Sequence, residues 1–66
     1  MTYVLVDDFQ SERLGQTLYF RCMTDIGPCG TVELGEAVWF DSLEEARQCP
    51  AVWHLLTFYK PVEVLP

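Results

Sequence analysis

The chain has 66 residues, half of them hydrophobic, and its ten acidic residues stand against four basic ones for a net charge of −6. This length allows a single domain, residues 1–66, with one small core, and the apolar content excludes a disordered tail. The charge disfavours direct binding to nucleic acid or to anionic membranes, because phosphate contacts need clustered Lys and Arg. A protein partner with a basic surface is favoured instead, since opposite charges steer association.

Four segments have the β-branched, aromatic or alternating composition of strands. They are residues 3–6, 17–22, 36–40 and 57–65. In the second segment, alternation predicts that Leu18, Phe20 and Cys22 share one face. In the third, Val38 and Phe40 are predicted on one face, with Ala37 and Trp39 on the other.

The last predicted strand contains Pro61, which lacks an amide donor, so we expect an edge or bent strand. Its inward face is predicted to hold Phe58, Val62 and Val64.

Two segments between these strands have the composition of loops. Residues 7–16 read as a turn region ending at Gly15. Residues 25–35 contain three glycines and a proline, which predicts a loop with room for one short strand over residues 31–34.

The clearest local signal is a capping box at Ser42-Leu43-Glu44-Glu45, where the Ser42 hydroxyl is expected to accept from the Glu45 amide. The helix that starts here is predicted to turn Leu43 and Ala46 inward and to end or kink before Pro50. Pro50 can also open a second short helix as its first residue. Val52, Leu55 and Leu56 would then form an apolar stripe.

These elements predict an α+β fold: a small, mostly antiparallel sheet of three to four strands with one short helix packed on one face, in the order β-β-β-α-β. The apolar start of the chain is followed at once by acidic residues, unlike a signal peptide, and no segment approaches the ~20 apolar residues of a membrane span. We expect a cytoplasmic location.

Catalytic and metal-binding motifs are weak in this sequence. Neither a phosphate-binding glycine loop nor a nucleophile elbow occurs. Cys22, Cys29, Cys49 and His54 offer one Cys3His ligand set, or a thiol with a base, but their spacing lacks the paired knuckle of zinc sites. The odd number of cysteines favours free thiols, with Cys22 and Cys49 as small core residues. We therefore expect a protein that is not an enzyme and that has no metal or other cofactor.

Acidic residues without neighbouring bases are the main candidate for function. They surround the third predicted strand and the helix start, with a second pair near the N-terminus, and Trp39 is a candidate anchor among them. The predicted partner-binding residues are Glu33, Glu36, Trp39, Asp41, Glu44, Glu45, Asp7 and Asp8. Five of these carboxylates, from Glu33 to Glu45, are expected to form one negative face that occupies a basic groove on a partner.

An apolar face is the alternative. It would make the chain a small adaptor or accessory subunit, monomeric or homodimeric, and aromatic residues would supply most of its binding energy. The residues that would carry it are Trp53, Leu55, Leu56, Phe58 and Tyr59.

The run from Ala37 to Arg47, followed by a terminal strand, resembles small phage and mobile-element proteins that read F-x-S-x-E-E-A before a last strand. In size and acidity the chain is also similar to anti-CRISPR proteins, the small phage-encoded inhibitors of CRISPR effector complexes. That resemblance implies an inhibitor in the host cytoplasm whose carboxylates mimic DNA on a basic, nucleic-acid-handling subunit of the effector and block DNA binding. It carries over no individual residue roles.

Overall fold

A computed structural model describes residues 2–64 of the chain. These residues form a four-stranded antiparallel sheet of order β3-β2-β1-β4. The strands are β1 (Thr2–Asp7), β2 (Tyr19–Thr24), β3 (Gly27–Thr31) and β4 (Tyr59–Val64). The helices are α1 (Asp8–Leu14), α2 (Leu43–Arg47) and two 3₁₀ helices, Leu34–Glu36 and Pro50–Trp53. The predicted α+β class is confirmed, but the order is β-α-β-β-α-β.

Strand β1 is central because both of its faces are apolar. Val4, Leu5 and Val6 are all buried, and successive side chains of a strand point to opposite faces. The sheet therefore has a small core on each side.

The core on one face forms around Leu5. Phe20 and Tyr59 pack beside it with their rings edge to face, 5.6 Å apart, and Ala46 and Ala51 bring the two C-terminal helices onto this face. The two alanines are completely buried, so the helices approach the sheet closely.

The core on the other face is thinner. Val4 and Val6 meet the buried Ala37, and Tyr19, Leu34 and Val64 pack around them. The first 3₁₀ helix, Leu34–Glu36, and the chain that follows it cover this face, whereas α2 covers the opposite face.

Helix α1 occupies the segment that the sequence predicted as a turn, so that prediction is wrong. The Asp7 carboxylate accepts from the Gln10 backbone amide at 3.0 Å and from the Gln10 side chain at 3.1 Å, which caps the helix. Gly15 ends α1 in a left-handed conformation with φ 74°, as glycine does at C-terminal caps. The signal was in the sequence as Asp7-x-x-Gln10, followed by Gly15 five residues after Gln10.

The third predicted strand is also wrong. Leu34–Glu36 forms a 3₁₀ helix, and the extended chain after it makes an isolated bridge between Phe40 and Tyr3 rather than a full strand. The Val38 amide donates to the Phe20 carbonyl at 3.0 Å. This segment therefore lies between the diverging ends of β1 and β2. The predicted faces are confirmed, since Val38 and Phe40 pack on the Leu5 side and Ala37 on the Val4 side.

Strand β3 lies instead in the glycine-rich segment predicted as a loop, and it ends where the short strand was expected to begin. Gly30 fits there because a Cβ at this position would lie 2.7 Å from the Tyr59 hydroxyl and 2.8 Å from Leu18. The glycine thus allows close packing of the strand rather than breaking it.

A register shift in the β2–β3 pair displaces Cys22 from its predicted face. Phe20 pairs with Gly30 and Cys22 with Cys29, so Arg21 has no partner and forms a bulge. Because Gly30 and Cys29 alternate, Cys22 lies on the face opposite Phe20, where it is exposed. The prediction of Cys22 as a core residue is wrong. Cys49 packs beside the Leu5 core as expected.

The capping prediction for α2 is confirmed. The Ser42 hydroxyl accepts from the Glu45 amide at 3.2 Å, although the Glu45 carboxylate accepts from the Asp41 amide instead of that of Ser42. Ala46 is buried and Leu43 is partly buried. Pro50 opens the second 3₁₀ helix, as one alternative predicted.

Strand β4 is an edge strand, as Pro61 indicated. Its inward face was predicted correctly only at Val64, which packs against the Val4 core. Phe58 and Val62 are exposed, while Tyr59 is the buried residue. In register, Tyr59 pairs with Asp7 and Val62 with Val4. At residues 58 and 59 the inward and outward sides are therefore the reverse of the prediction, which placed Phe58 inward. The predicted strand end at Leu65 lies outside the described residues.

We expect Asp7→Ala to lower the free energy of unfolding by about 2–4 kcal/mol, since it removes a helix cap and leaves buried donors without an acceptor. Urea denaturation at pH 7 measures this. Asp8→Ala is the matched control, because Asp8 is exposed and its loss should cost under about 1 kcal/mol. Equal losses in the two variants would contradict the role given to Asp7.

Candidate protein-binding surface

Most of the predicted acidic residues are exposed. In the part of the chain that the structure describes, the side chains of six of them face solvent. They are Asp8, Glu33, Glu36, Asp41, Glu44 and Glu45.

Asp7 is the exception, and its assignment to a binding surface is wrong. The residue is completely buried, and its carboxylate also accepts from the Phe58 amide at 3.3 Å. It joins the start of α1 to the chain entering β4, 51 residues later. Its charge holds the fold together and is not available to a partner.

One group of carboxylates surrounds the first 3₁₀ helix. The Thr31 hydroxyl donates to Glu36 at 3.2 Å and accepts from the Glu33 amide at 3.0 Å, which fixes the approach to this helix. The Trp39 indole donates to the Leu34 carbonyl at 3.3 Å, so the ring lies over the helix. Trp39 is 45% exposed, which leaves part of its surface for a partner.

A second group lies at the start of α2. The Asp41 amide donates to Glu45, and Ser42 caps the helix, so Asp41, Glu44 and Glu45 gather around one turn. Only the short extended segment 37–40, which includes Trp39, separates this group from Glu36. The two groups are therefore consecutive on the surface path of the chain.

Five of the six exposed carboxylates have no ion-pair partner within residues 2–64. Asp8 pairs with Lys60, and both side chains of that pair are more than half exposed. Glu33, Glu36, Asp41, Glu44 and Glu45 thus keep their negative charge uncompensated, and this is the property that a basic partner recognises.

A second exposed surface is apolar. We name residues 53–58, from the last residue of the second 3₁₀ helix to the residue before β4, the apolar loop. Trp53 is 73% exposed, Leu55 93%, Leu56 82% and Phe58 61%. The alternative site of the sequence analysis is exposed in these four residues, and only Tyr59 is buried.

Helix α1 extends this apolar surface, and the sequence did not indicate this because the α1 segment has the composition of a turn. Phe9 is 54% exposed, and its ring centre lies 5.8 Å from that of Phe58. The Arg13 guanidinium lies over the Phe9 ring, 5.9 Å from the ring centre.

Hydrogen bonds and close packing hold the apolar loop in place. The Trp53 indole donates to the Arg47 carbonyl at 2.9 Å, and the Leu56 amide donates to Nδ1 of His54 at 3.2 Å. Nε2 of His54 lies 3.0 Å from where a Cβ of Gly27 would be, so the imidazole packs against the β2–β3 hairpin. His54 therefore has a structural role in this loop.

The Cys3His hypothesis has no geometric support in residues 2–64. Within this range, no three His, Cys, Asp or Glu side chains are close enough to hold a metal ion. Cys49 packs on the α2 side of the sheet, while Cys22 lies on the other side.

Tyr59 belongs to the core, with 3% of its surface exposed. Burial raises the pKa of its hydroxyl to about 12, and the negative charge of Asp7, its register partner, acts in the same direction.

No helix within residues 2–64 has the length and apolar content needed to cross a lipid bilayer. Comparison of the chain with protein-family models, curated proteins and solved structures finds no match. The case for function therefore stands on the surfaces just described.

We expect the free energy of unfolding to fall as the pH rises from about 10 towards 12, with Tyr59 as one cause. A raised pKa means that the folded chain holds the phenolic proton more tightly than the unfolded chain, so this stability is complete below pH 10 and lost above it. Urea denaturation across pH 8–12 measures the decline. Tyr59→Phe should decline less steeply, and an identical pH profile would contradict the assignment.

Proposed function

We propose that this chain is a non-enzymatic binding protein that docks its exposed carboxylates on a basic, nucleic-acid-handling surface of another protein and blocks that surface. The observation that carries the proposal is the set of five exposed carboxylates that form no ion pair within residues 2–64 and that lie on either side of a half-exposed tryptophan. They are Glu33, Glu36, Asp41, Glu44 and Glu45, and the tryptophan is Trp39.

The electrostatics favour such a partner. Lys and Arg that bind phosphates form charge-assisted hydrogen bonds equally well with carboxylates. A net charge of −6 on a chain of 66 residues also speeds the encounter with a positive surface. An acidic protein of this size therefore competes with DNA for the same basic groove.

Trp39 supplies the apolar part of the contact. Its indole N–H is already bonded to the Leu34 carbonyl, so covering the ring leaves no donor unpaired. Tryptophans of this kind often dominate binding energy at the centre of an interface.

The resemblance in size and acidity to anti-CRISPR proteins indicates the target to test first, which is the DNA-binding subunit of a CRISPR effector complex. The chain would then be a phage-encoded inhibitor that acts as a DNA mimic in the host cytoplasm.

Neutralising the acidic site should weaken binding to that complex about tenfold or more, because each lost ion pair costs roughly 0.5–1 kcal/mol. The test variant is E33Q/E36Q/E44Q, in which each Gln keeps an acceptor oxygen. The control is E12Q/D25N/E63Q, three exposed acids elsewhere. Both triple variants change the net charge from −6 to −3.

Affinity for the purified effector is measured for both triple variants and the parent chain at low and high salt. The control should bind within about threefold of the parent chain, and high salt should weaken the parent strongly. Equal affinity of the two variants would contradict the acidic site, and no binding by the parent chain would exclude this target.

The apolar loop favours a second candidate function, a small accessory subunit that pairs with a second copy of itself. An aromatic side chain carries about 150–250 Å2 of surface. The exposed parts of Trp53, Phe58 and Phe9 therefore present roughly 300–450 Å2 before Leu55 and Leu56 are counted. That area matches the largest apolar patch of a typical monomer, at about 300–600 Å2, and is roughly half of the ~800 Å2 that each partner contributes to a stable interface.

Charge points to a second copy as the occupant. Between Glu45 and Glu63 the sequence contains no acidic residue, whereas Arg47 and Lys60 both lie there. Two chains that each carry a charge of −6 repel least when they meet at this surface. A two-fold arrangement would place both apolar loops in one contact.

If the chain self-associates, it should sediment as a 7.6 kDa monomer at low concentration and as a dimer of twice that mass at high concentration. L55S/L56S should keep the fold, since both side chains are nearly fully exposed, and should stay monomeric. Val32→Ser, an exposed position just after the end of β3, is the control and should still dimerise. A parent chain that remains monomeric at millimolar concentration would rule this function out.

A further inference from the structure

The β2–β3 hairpin places two cysteines directly opposite each other. Cys22 and Cys29 are register partners, next to the pair Met23 and Pro28. Cross-strand partners share one face of a sheet, so the two thiols lie side by side. We infer that Cys22 and Cys29 form a cross-strand dithiol, a modification site that closes to an intramolecular disulfide on mild oxidation.

The backbone spacing of such a pair suits a disulfide. Directly opposed residues of antiparallel strands have Cα atoms about 4.5–5.5 Å apart, and disulfides span Cα distances of about 4.4–6.8 Å. The Cβ atoms of opposed residues, about 4.5–5.5 Å apart, must approach by up to about 1 Å. This movement is available because β3 is an edge strand and Arg21 forms a bulge next to the pair.

Access and position favour this pair over any pair that includes Cys49. Cys22 is exposed and Cys29 is partly exposed, so a dissolved oxidant reaches the hairpin directly. Cys49 packs against the Leu5 core on the opposite side of the sheet. The third thiol is therefore separated from the other two by the sheet itself.

The reaction is thiol–disulfide exchange with a small disulfide such as oxidised glutathione. The Cys22 thiolate attacks one glutathione sulfur, forming a mixed disulfide and releasing one glutathione thiolate. The Cys29 thiolate then attacks the Cys22 sulfur, which forms the Cys22–Cys29 bond and releases the second glutathione. The two cysteines lose two electrons and two protons, and the glutathione disulfide gains them.

The bond would lock the hairpin against which the apolar loop packs, because His54 lies on Gly27 beside the hairpin turn. The disulfide also closes the segment from Cys22 to Cys29 into a loop in the unfolded chain. This lowers the entropy of the unfolded chain and so favours the folded state. We expect the melting temperature to rise by roughly 10 °C on oxidation.

The test incubates the folded chain with oxidised glutathione, blocks free thiols under denaturing conditions and digests it with trypsin. Both cysteines fall in one fragment, residues 22–47, because no Lys or Arg lies between Arg21 and Arg47. Cys49 falls in the next fragment. The expected product is fragment 22–47 without blocked thiols and lighter by two hydrogens, together with a blocked Cys49.

Cys49→Ser should form the same product and show the same rise in melting temperature. Cys22→Ser and Cys29→Ser should each show no rise and keep a glutathione adduct or a free thiol on the remaining cysteine of the pair. The inference is overturned if the parent chain keeps three blocked thiols, carries only glutathione adducts, or links Cys49 to either of the other two.

Discussion

The buried carboxylate of Asp7 is the interaction on which the arrangement of both surfaces depends. It lies at the end of the central strand, caps α1 through Gln10 and accepts from the amide of Phe58 as the chain enters β4. A buried charge is expensive unless its hydrogen bonds are made, and here three donors share the two oxygens. One side chain thus fixes the position of α1 and of the apolar loop relative to the sheet.

The sheet separates the two cores, and each exposed surface begins beside a different core. The Leu5 face of the sheet carries α2 and the second 3₁₀ helix, whose continuation is the apolar loop. The Val4 face carries the first 3₁₀ helix. The Trp39 ring lies over that helix, beside the first acidic group. A chain of this size has little interior, so its many apolar residues cannot all be buried, and Trp39 and four side chains of the apolar loop are among those left exposed.

Local signals in the sequence predicted the parts of the fold that depend on local hydrogen bonds. Ser42 and Pro50 marked the C-terminal helices correctly, and Pro61 marked an edge strand. Asp7 is a capping residue of the same kind, but a pair of adjacent aspartates also resembles a solvated charge cluster. Only the tertiary hydrogen bond to Phe58 distinguishes the two. The bulge at Arg21 and the packing of Gly30 under Tyr59 depend on residues far apart in the chain, so no local pattern indicates them.

Like the fold, the candidate site was predicted from the sequence only in part. Exposure of Glu33, Glu36, Asp41, Glu44 and Glu45 follows from their charge, and none of the five forms an ion pair within residues 2–64. Phe9 was missed because its helix was missed, and Tyr59 was placed outside because the faces of β4 were reversed. The exposure of carboxylates can be predicted from the sequence, whereas aromatic residues divide between core and surface according to tertiary contacts.

The most direct test of the central claim is zero-length cross-linking of carboxylates to amines in the complex with a purified CRISPR effector, followed by mass spectrometry of the linked peptides. Because this reaction adds no spacer, it joins a carboxylate only to an amine that can come into direct contact with it. The account predicts links from partner lysines to the acidic residues between Glu33 and Glu45. Links confined to Glu12, Asp25 or Glu63, or a complex that forms without any link to residues 33–45, would contradict it.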